Sequence, residues 1–149
     1  RGVQKHCKKN GLPEEWAKDL VDNADEEHPY AVANNDKIKY SRFKWKDYGV
    51  WRVFIAQFIG TGDYNKVNMW IDDKMGATGT TWTHRCNSKE EAERVYSYVN
   101  IPEYKWIINE LKVNGRITSK VIDLPIVSLS KILSKEQMSY IRSHIINEE

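Results

Sequence analysis

The chain has 149 residues, a formal net charge of +2, and 40% hydrophobic and 11% aromatic residues. This length suits one domain with a hydrophobic core, and the composition excludes an intrinsically disordered chain. No apolar run approaches the roughly 18 residues of a membrane-spanning helix, so we expect no membrane partner. Two cysteines, Cys7 and Cys86, are too few for a disulfide scaffold and favour a reducing, cytoplasmic location. The start at Arg1, without a Met, predicts a fragment of a longer protein.

Charge is distributed unevenly along the first third of the chain. Residues 1–12 carry four bases and no acid, residues 13–36 carry eight acids against one lysine, and residues 37–52 carry six bases against one acid. This pattern is typical of a protein with one acidic and one basic face. Ordinary surface variation in a chain that is 30% charged is an equal alternative.

The first half of the chain predicts one helix followed by four strands. Residues 12–24 favour a helix, because Pro13 suits its first turn and apolar residues recur on one face. Runs of aromatic and β-branched residues predict strands at 37–43, 50–59, 66–72 and 80–86. We expect residues 47–49 to form a hairpin turn between the first two strands, with 50–59 as a central strand.

The second half predicts three helices and one short strand. Ser88 and Glu91 form a capping box at the start of a helix over 88–100. A second helix begins at Pro102 and is expected to end at Asn114-Gly115.

The C-terminal part of the chain completes the predicted fold. Residues 116–124 predict a strand or extended segment, and a capping box of Ser134 and Gln137 begins a C-terminal helix. The order predicts an α+β fold with a mostly antiparallel sheet of about four to five strands and helices packed on it. Residues 1–35 would form an N-terminal helical linking segment and residues 36–149 the α+β domain.

The stretch 37–52, KIKYSRFKWKDYGVWR, interleaves six basic with five aromatic residues. A nucleic-acid surface needs Lys and Arg for phosphates and planar groups that pack on sugars or bases. The alternative is an edge strand protected by lysines, with its aromatic side chains in the core.

Two other patterns have metal-binding residue types. Asp63, followed by Asp72 and Lys74, resembles the carboxylates and lysine of a magnesium-dependent nuclease, and the alternative is a polar turn. His6-Cys7 and His84-x-Cys86 lack the CxxC-like knuckle of structural zinc sites, so we expect Cys86 buried on a strand and Cys7 in a disordered segment. We therefore predict no metal site.

Four segments resemble one known family. IKYSRFKWKDYGVWRVFIAQFIG, CNSKEEAERVYSYVN, YKWIINELKVNGRITSKVIDLPIVSLSK and LSKEQMSYIRSHI follow in the same order as segments of that family. They resemble the C-terminal target-recognition region of adenine-specific DNA methyltransferases of bacterial restriction–modification systems, including those fused to a nuclease. The likeness covers about three quarters of the chain, residues 36–146.

The resemblance implies a segment that clamps double-stranded DNA and reads its site beside a catalytic domain of the same parent chain. The family's catalytic [D/N/S]-P-P-[Y/F] loop is absent, and His28-Pro29-Tyr30 is not a version of it. The glycine motif for the methyl donor is absent too, so S-adenosylmethionine is implied only for the parent. The fragment itself is expected to be non-catalytic and to hold no cofactor.

The candidate DNA-binding residues follow from charge and turn position. Expected phosphate contacts are Lys44, Lys46, Arg52, Lys112, Arg116 and Lys120. Candidate base-edge readers are Arg42, Arg85, Asn114 and Arg116, because Arg and Asn can pair bidentately with guanine and adenine. The alternatives are a magnesium-dependent restriction nuclease domain and a protein-interaction module whose aromatic strand pairs with another subunit.

Overall fold

Helices and short strands are mixed along the chain, of which the computed structural model describes residues 2–60, 64–113, 115–117 and 126–148. The elements in these ranges are α1 (Gly2–Lys9), a 3₁₀ helix (Glu14–Lys18), β1 (Tyr30–Asn34), β2 (Lys37–Ser41), β3 (Arg52–Ala56), a 3₁₀ turn (Tyr64–Lys66), β4 (Met69–Asp72), β5 (Gly76–Ala77), β6 (Thr81–Arg85), α2 (Lys89–Val99), α3 (Pro102–Glu110), a 3₁₀ turn (Leu129–Lys131) and α4 (Lys135–Glu148). The predicted α+β class and the C-terminal helix are confirmed.

The named strands form two small sheets instead of one sheet of four to five strands. Sheet A has the order β2-β1-β5, and sheet B has the order β4-β3-β6. In sheet A, β1 and β2 form an antiparallel hairpin that turns at Asn35, while β5 runs parallel to β1. In sheet B, β3 is flanked by antiparallel β4 and β6. The predicted predominance of antiparallel pairing therefore holds.

Strand pairing differs from the prediction around residues 47–49. These residues do not close a hairpin, because β2 pairs with β1 while β3 pairs with β4 and β6. Asp47 and Gly49 do turn the chain, with φ angles of 66° and 99°, but the turn leads from sheet A to sheet B. The hairpin that turns at Asn35 also crosses the predicted boundary between residues 35 and 36.

The predicted helix over 12–24 is wrong. Only Glu14–Lys18 is helical, as a single 3₁₀ element. Val21 instead exchanges backbone hydrogen bonds of 3.0 and 2.9 Å with Tyr40 of β2. Cys7, expected in a disordered segment, is fully buried in α1. Pairing with a strand that is distant in sequence therefore overrides the local helical pattern.

The three helices predicted in the second half are confirmed, and α3 begins with a proline. At the start of α2, the N–H of Glu91 donates to Ser88 Oγ at 3.1 Å, and the Glu91 carboxylate accepts the N–H of Asn87. At the start of α4, Gln137 and Ser134 each donate a backbone N–H to the other's side chain, at 3.1 and 2.8 Å. These caps satisfy N–H groups that a helix start leaves without partners.

Strand β3 joins the layers of the core. Phe54 is fully buried and packs with Ala33 and Met75 between the two sheets. On the opposite face, Val53 packs with Ile108 in the cluster formed with α2 and α3. Sheet B therefore lies between sheet A and the helices, and α4 packs on the far side against α3.

Candidate nucleic-acid interface

Residues 42–48, which follow β2, form a loop with lysines outside and aromatic residues inside. Phe43 and Trp45 are buried, while Lys44 and Lys46 are exposed. Lys44 and Lys46 therefore face solvent, while the rings of Phe43 and Trp45 belong to the core, as the alternative of a lysine-protected segment expects. Phe43 and Trp45 are not available as an aromatic strand for pairing with another subunit.

Arg85, at the end of β6, lies beside this loop. Its side chain is 63% exposed, and its Nη1 lies 3.5 Å from Asp47 Oδ1. The side chain of Asp47 is 21% exposed, and a surface ion pair contributes only about 0–1 kcal/mol, so it does not prevent Arg85 from meeting another anion. The Lys44 ammonium lies 5.8 and 5.7 Å from the ring centres of Tyr30 and Tyr48. Lys44, Lys46 and Arg85 together are called the loop cluster below.

Arg52 does not belong to this surface. It is 2% exposed, its Nη2 donates to the carbonyl of Met75, and its guanidinium carbon lies 4.7 Å from the ring centre of Phe54. Burial lowers the pKa of Arg52 below its usual value. The prediction that Arg52 contacts a phosphate is wrong, because this guanidinium lies inside the protein.

Arg42 is engaged within the protein by two carboxylates. Its Nε donates to Asp19, its Nη2 lies 2.9 Å from Glu27 Oε2, and its guanidinium carbon lies 5.8 Å from the ring centre of Trp16. The hydrogen bond to Asp19 raises the pKa of Arg42. The predicted role of Arg42 as a base reader gains no support from this geometry, since base reading would break these contacts.

His28 lies between two of the acids near Arg42. Its Nε2 is 3.0 Å from Asp19 Oδ2 and its Nδ1 is 2.8 Å from Asp25 Oδ1, while the residue is only 5% exposed. Hydrogen bonding to Asp19 and then to Asp25 raises the pKa of His28. Hydrogen bonds lower the pKa of Asp19, mainly from Arg42, and the pKa of Asp25, mainly from His28. The network favours a protonated imidazole between ionised carboxylates.

We expect this network to stabilise the fold most between pH values of about 4 and 6.5. The raised pKa of His28 stabilises the folded state fully below its ordinary value of 6.5, and this contribution is lost as pH rises through the folded-state pKa. The lowered pKa values of Asp19 and Asp25 stabilise the folded state above about pH 3.8. This contribution is lost as pH falls through the folded-state pKa values. Urea denaturation should therefore show that the stability deficit of His28→Gln is largest near pH 5 and shrinks by about pH 9. The control is His84→Gln at an exposed position, and a pH-independent deficit for His28→Gln would contradict the prediction.

Residues 115–117 extend sheet B beyond the end of β6. Gln57 donates its backbone N–H to the carbonyl of Thr80 at 3.0 Å, and its carbonyl accepts the N–H of Ile117 at 2.7 Å. The N–H and C=O of one residue in an antiparallel strand point toward the same neighbour. The segment 115–117 and β6 therefore lie on the same side of the chain that continues β3.

Arg116 is held by neutral groups in this segment. It directly opposes Phe58, and its guanidinium carbon lies 5.4 Å from the Phe58 ring centre. With its amide oxygen toward Arg116, Gln57 accepts Nε at 2.8 Å and Nη2 at 2.9 Å, and its amide nitrogen donates to the carbonyl of Gly79 at 2.9 Å. Gln57 is 3% exposed, whereas Phe58 is 47% exposed. Arg116, Gln57 and Phe58 are called the Arg116 platform below.

The loop cluster and the Arg116 platform lie at the two ends of one edge. Arg85 opposes position 52 and Arg116 opposes position 58 along the same side of the β3 chain. At roughly 3.3 Å per strand residue, their backbones are about 20 Å apart. Two exposed cationic groups thus share an edge of sheet B.

The other candidate residues are less well placed or lie outside the described residues. Lys112 is half-buried, and its Nζ donates to Asn109 Oδ1 at 2.8 Å. Asn114 and Lys120 lie outside the described residues. Helix α3 ends at Glu110, before the predicted stop at Asn114-Gly115.

Among the described residues, neither metal-binding pattern forms a site. Asp63 lies outside the described residues, and Asp72 Oδ1 accepts the backbone N–H of Lys74 at 2.8 Å, as in a polar turn. Cys7 and Cys86 are unpaired and buried in separate clusters. In the part of the chain that the structure describes, no group of three or more His, Cys, Asp or Glu side chains could hold a metal ion.

The sequence prediction does not include three residues that support Arg116, namely Gln57, Phe58 and Asn35. Gln57 and Phe58 fall in the stretch 50–59, which predicts a buried central strand. Asn35 forms two hydrogen bonds between its side-chain amide and the backbone of Phe58, at 2.8 and 3.1 Å. The only available signal is Gln57 itself, a polar residue in an otherwise apolar run, VFIAQFI.

Comparison with known proteins leaves the family open. No protein-family model, curated protein or solved structure matches this chain. The family therefore stays a prediction from the sequence resemblance. Among the helices described, none is long and apolar enough to cross a bilayer.

Proposed function

We propose that this chain is the DNA target-recognition segment of an adenine-specific DNA methyltransferase from a bacterial restriction–modification system. In this proposal it binds double-stranded DNA in the cytoplasm. Methyl transfer takes place on a catalytic domain of the same parent chain, which binds S-adenosylmethionine. The chain itself performs no chemistry, since it lacks both the catalytic loop and the methyl-donor motif.

The observation that supports the proposal best is the pair of cationic groups on one edge of sheet B. The backbones of Arg85 and Arg116 are about 20 Å apart, and B-DNA rises about 3.4 Å per base pair. One duplex lying along this edge would meet both groups over about six base pairs. The spacing therefore suits a short recognition site better than contact with a single phosphate.

The loop cluster suits phosphate contacts, and we assign Arg85 to them instead of to base reading, because it lies beside Asp47 in the loop that carries the two lysines. Lys44 and Lys46 are exposed on a loop in which Phe43 and Trp45 are buried, so the loop is anchored while these two charges face solvent. The ion pair between Arg85 and Asp47 lies at the surface with only Asp47 partly buried, so it is weak and can give way to a phosphate. Neither the nuclease nor the protein-interaction alternative has a comparable arrangement among the described residues.

Replacing the loop cluster with alanine is expected to weaken duplex binding equally for every sequence. The physical reason is that each phosphate contact releases counterions from the DNA. Each contact contributes about 0.9 to the steepness of the plot of log affinity against log salt concentration. The triple variant Lys44→Ala, Lys46→Ala, Arg85→Ala should therefore lower the slope by up to about 2.7. The salt slope can be measured by fluorescence anisotropy with a labelled duplex between about 50 and 200 mM salt.

A matched triple variant is available in the 3₁₀ turn Leu129–Lys131 and helix α4, elements separate from the loop cluster. Lys131 and Lys135 are exposed, and Arg142 forms a surface pair with Glu103 at 3.3 Å that resembles the pair of Arg85 with Asp47. Replacing these three residues with alanine removes the same charge and should leave the salt slope unchanged. Equal losses in the two triple variants would show non-specific attraction, and no duplex binding at low salt would refute the proposed function.

A further inference from the structure

Arg116 differs from Arg42 and Arg85 in its partners. Arg42 and Arg85 each face a carboxylate, whereas Arg116 faces the neutral amide of Gln57 and the ring of Phe58. A neutral amide orients a guanidinium without cancelling its charge. The Arg116 platform thus fixes the direction of the guanidinium N–H donors, and the positive charge remains available to attract an acceptor.

Arg116 is exposed, and within the described ranges Gln57 contacts only the Nε and Nη2 edge of its guanidinium. A guanidinium has five N–H donors, and the Gln57 oxygen takes one from Nε and one from Nη2. The two N–H groups of Nη1 and the second N–H of Nη2 remain. Nη1 and Nη2 together form a planar fork, which matches two acceptors lying side by side.

The backbone around Arg116 is fixed as well. Gly115 has a φ of 74°, and a Cβ there would lie 2.9 Å from the backbone of Gly60, so glycine is required for this approach. The Asn35 amide holds the backbone of Phe58 by two hydrogen bonds. Such support reduces the entropy that Arg116 would lose on binding.

We propose that Arg116 reads a guanine in the major groove, with Gln57 and Phe58 as positioning residues. This inference rests on the proposed DNA-binding function and adds the base that one position of the site contains. Guanine presents O6 and N7 as adjacent acceptors in the major groove, and an arginine fork is their commonest specific partner. A phosphate contact needs no fixed fork, so the buried Gln57 amide and the stacked ring favour a base over a phosphate.

The test begins with selection of bound duplexes from a randomised library by the 149-residue chain. The selected site should contain an invariant G·C pair. Replacing that guanine with 7-deazaguanine removes the N7 acceptor and should weaken binding about tenfold or more. Inosine keeps both N7 and O6 and should bind as guanine does.

The variants assign this discrimination to Arg116. Arg116→Ala should bind the guanine and 7-deazaguanine duplexes equally, and Arg116→Lys should discriminate less than the native chain. Gln57→Leu should lose discrimination without a change in the salt slope, which a mere loss of stability would not produce. Phe58→Leu provides the same test at a position that is 47% exposed.

The outcomes separate the inference from the proposed function. If Arg116→Ala weakens binding equally for all sequences and lowers the salt slope by about one, Arg116 contacts a phosphate and the inference is overturned. Selected sites with no position sensitive to 7-deazaguanine overturn it too. Both results leave DNA binding standing, whereas failure to bind any duplex at low salt removes the proposed function as well.

Discussion

Replacing Phe54 with alanine is expected to lower the free energy of unfolding by about 3–5 kcal/mol. Phe54 is fully buried, and its ring stacks on Trp70 with centres 5.5 Å apart and an interplanar angle of 5°. It packs in the same cluster as Ala33 of sheet A and Met75. Truncation would leave a cavity between the two sheets, where the backbone of β3 is fixed on both sides by β4 and β6.

Equilibrium denaturation in urea measures this loss, with Phe58→Ala as the matched control. Phe58 follows Phe54 on the same chain segment but is 47% exposed, so its truncation should change stability by less than about 1 kcal/mol. Similar losses for both variants would contradict the assignment of Phe54 as the contact between the sheets.

Gly76→Ala is expected to destabilise the fold by about 1–3 kcal/mol through overpacking. A Cβ at Gly76 would lie 2.4 Å from Trp45 Cβ and 3.0 Å from its Cγ. Trp45 cannot easily move away, because it is buried and its indole N–H donates to Ser41 Oγ at 2.9 Å. Gly76 is itself held in register with Val32 of β1.

The matched control for Gly76 is Gly79→Ala in the following turn. A Cβ at Gly79 meets no atom within 4 Å, and its backbone is not in the left-handed region. The free energy of unfolding of Gly79→Ala should therefore stay within about 0.5 kcal/mol of that of the native chain. Thermal denaturation of both variants checks the pair, and an unchanged Gly76→Ala protein would show that β5 and the loop containing Trp45 do not pack closely.

Gly76 also links the fold to the proposed DNA surface. Trp45 anchors the loop that carries Lys44 and Lys46, so displacement of the indole would move both lysines. We therefore regard the contact between β5 and Trp45 as the structural basis of the loop cluster. The Arg116 platform lies at the other end of the same edge and depends on different contacts.

Local signals were sufficient for the helices of the second half. The capping boxes at Ser88 and Ser134 involve atoms only three residues apart, so their hydrogen bonds follow from sequence spacing alone. The proline at the start of α3 acts through its own fixed φ. The α+β class followed from these helices together with the β-branched and aromatic runs.

Strand partners were not predictable in this way. Residues 47–49 are typical of a turn, yet the strands on either side of them do not pair with each other. Strand β2 pairs with the preceding strand β1, and β3 pairs with the later strands β4 and β6. Residues 12–24 have a helical pattern, but Val21 forms backbone hydrogen bonds with Tyr40 instead of continuing a helix. In each case the competing partner lies outside the window in which periodicity can be read.

The same division applies to the candidate interface. Sequence identifies the arginines and lysines and their clustering at 37–52 and 112–120, because charge belongs to the side chain itself. Whether a guanidinium is free depends on groups that folding brings to it: Arg42 meets Asp19, Arg52 meets the carbonyl of Met75, and Arg116 meets Gln57. These partners are 23, 23 and 59 residues away along the chain, so the exposed arginines could be told from the engaged ones only once the strands were paired.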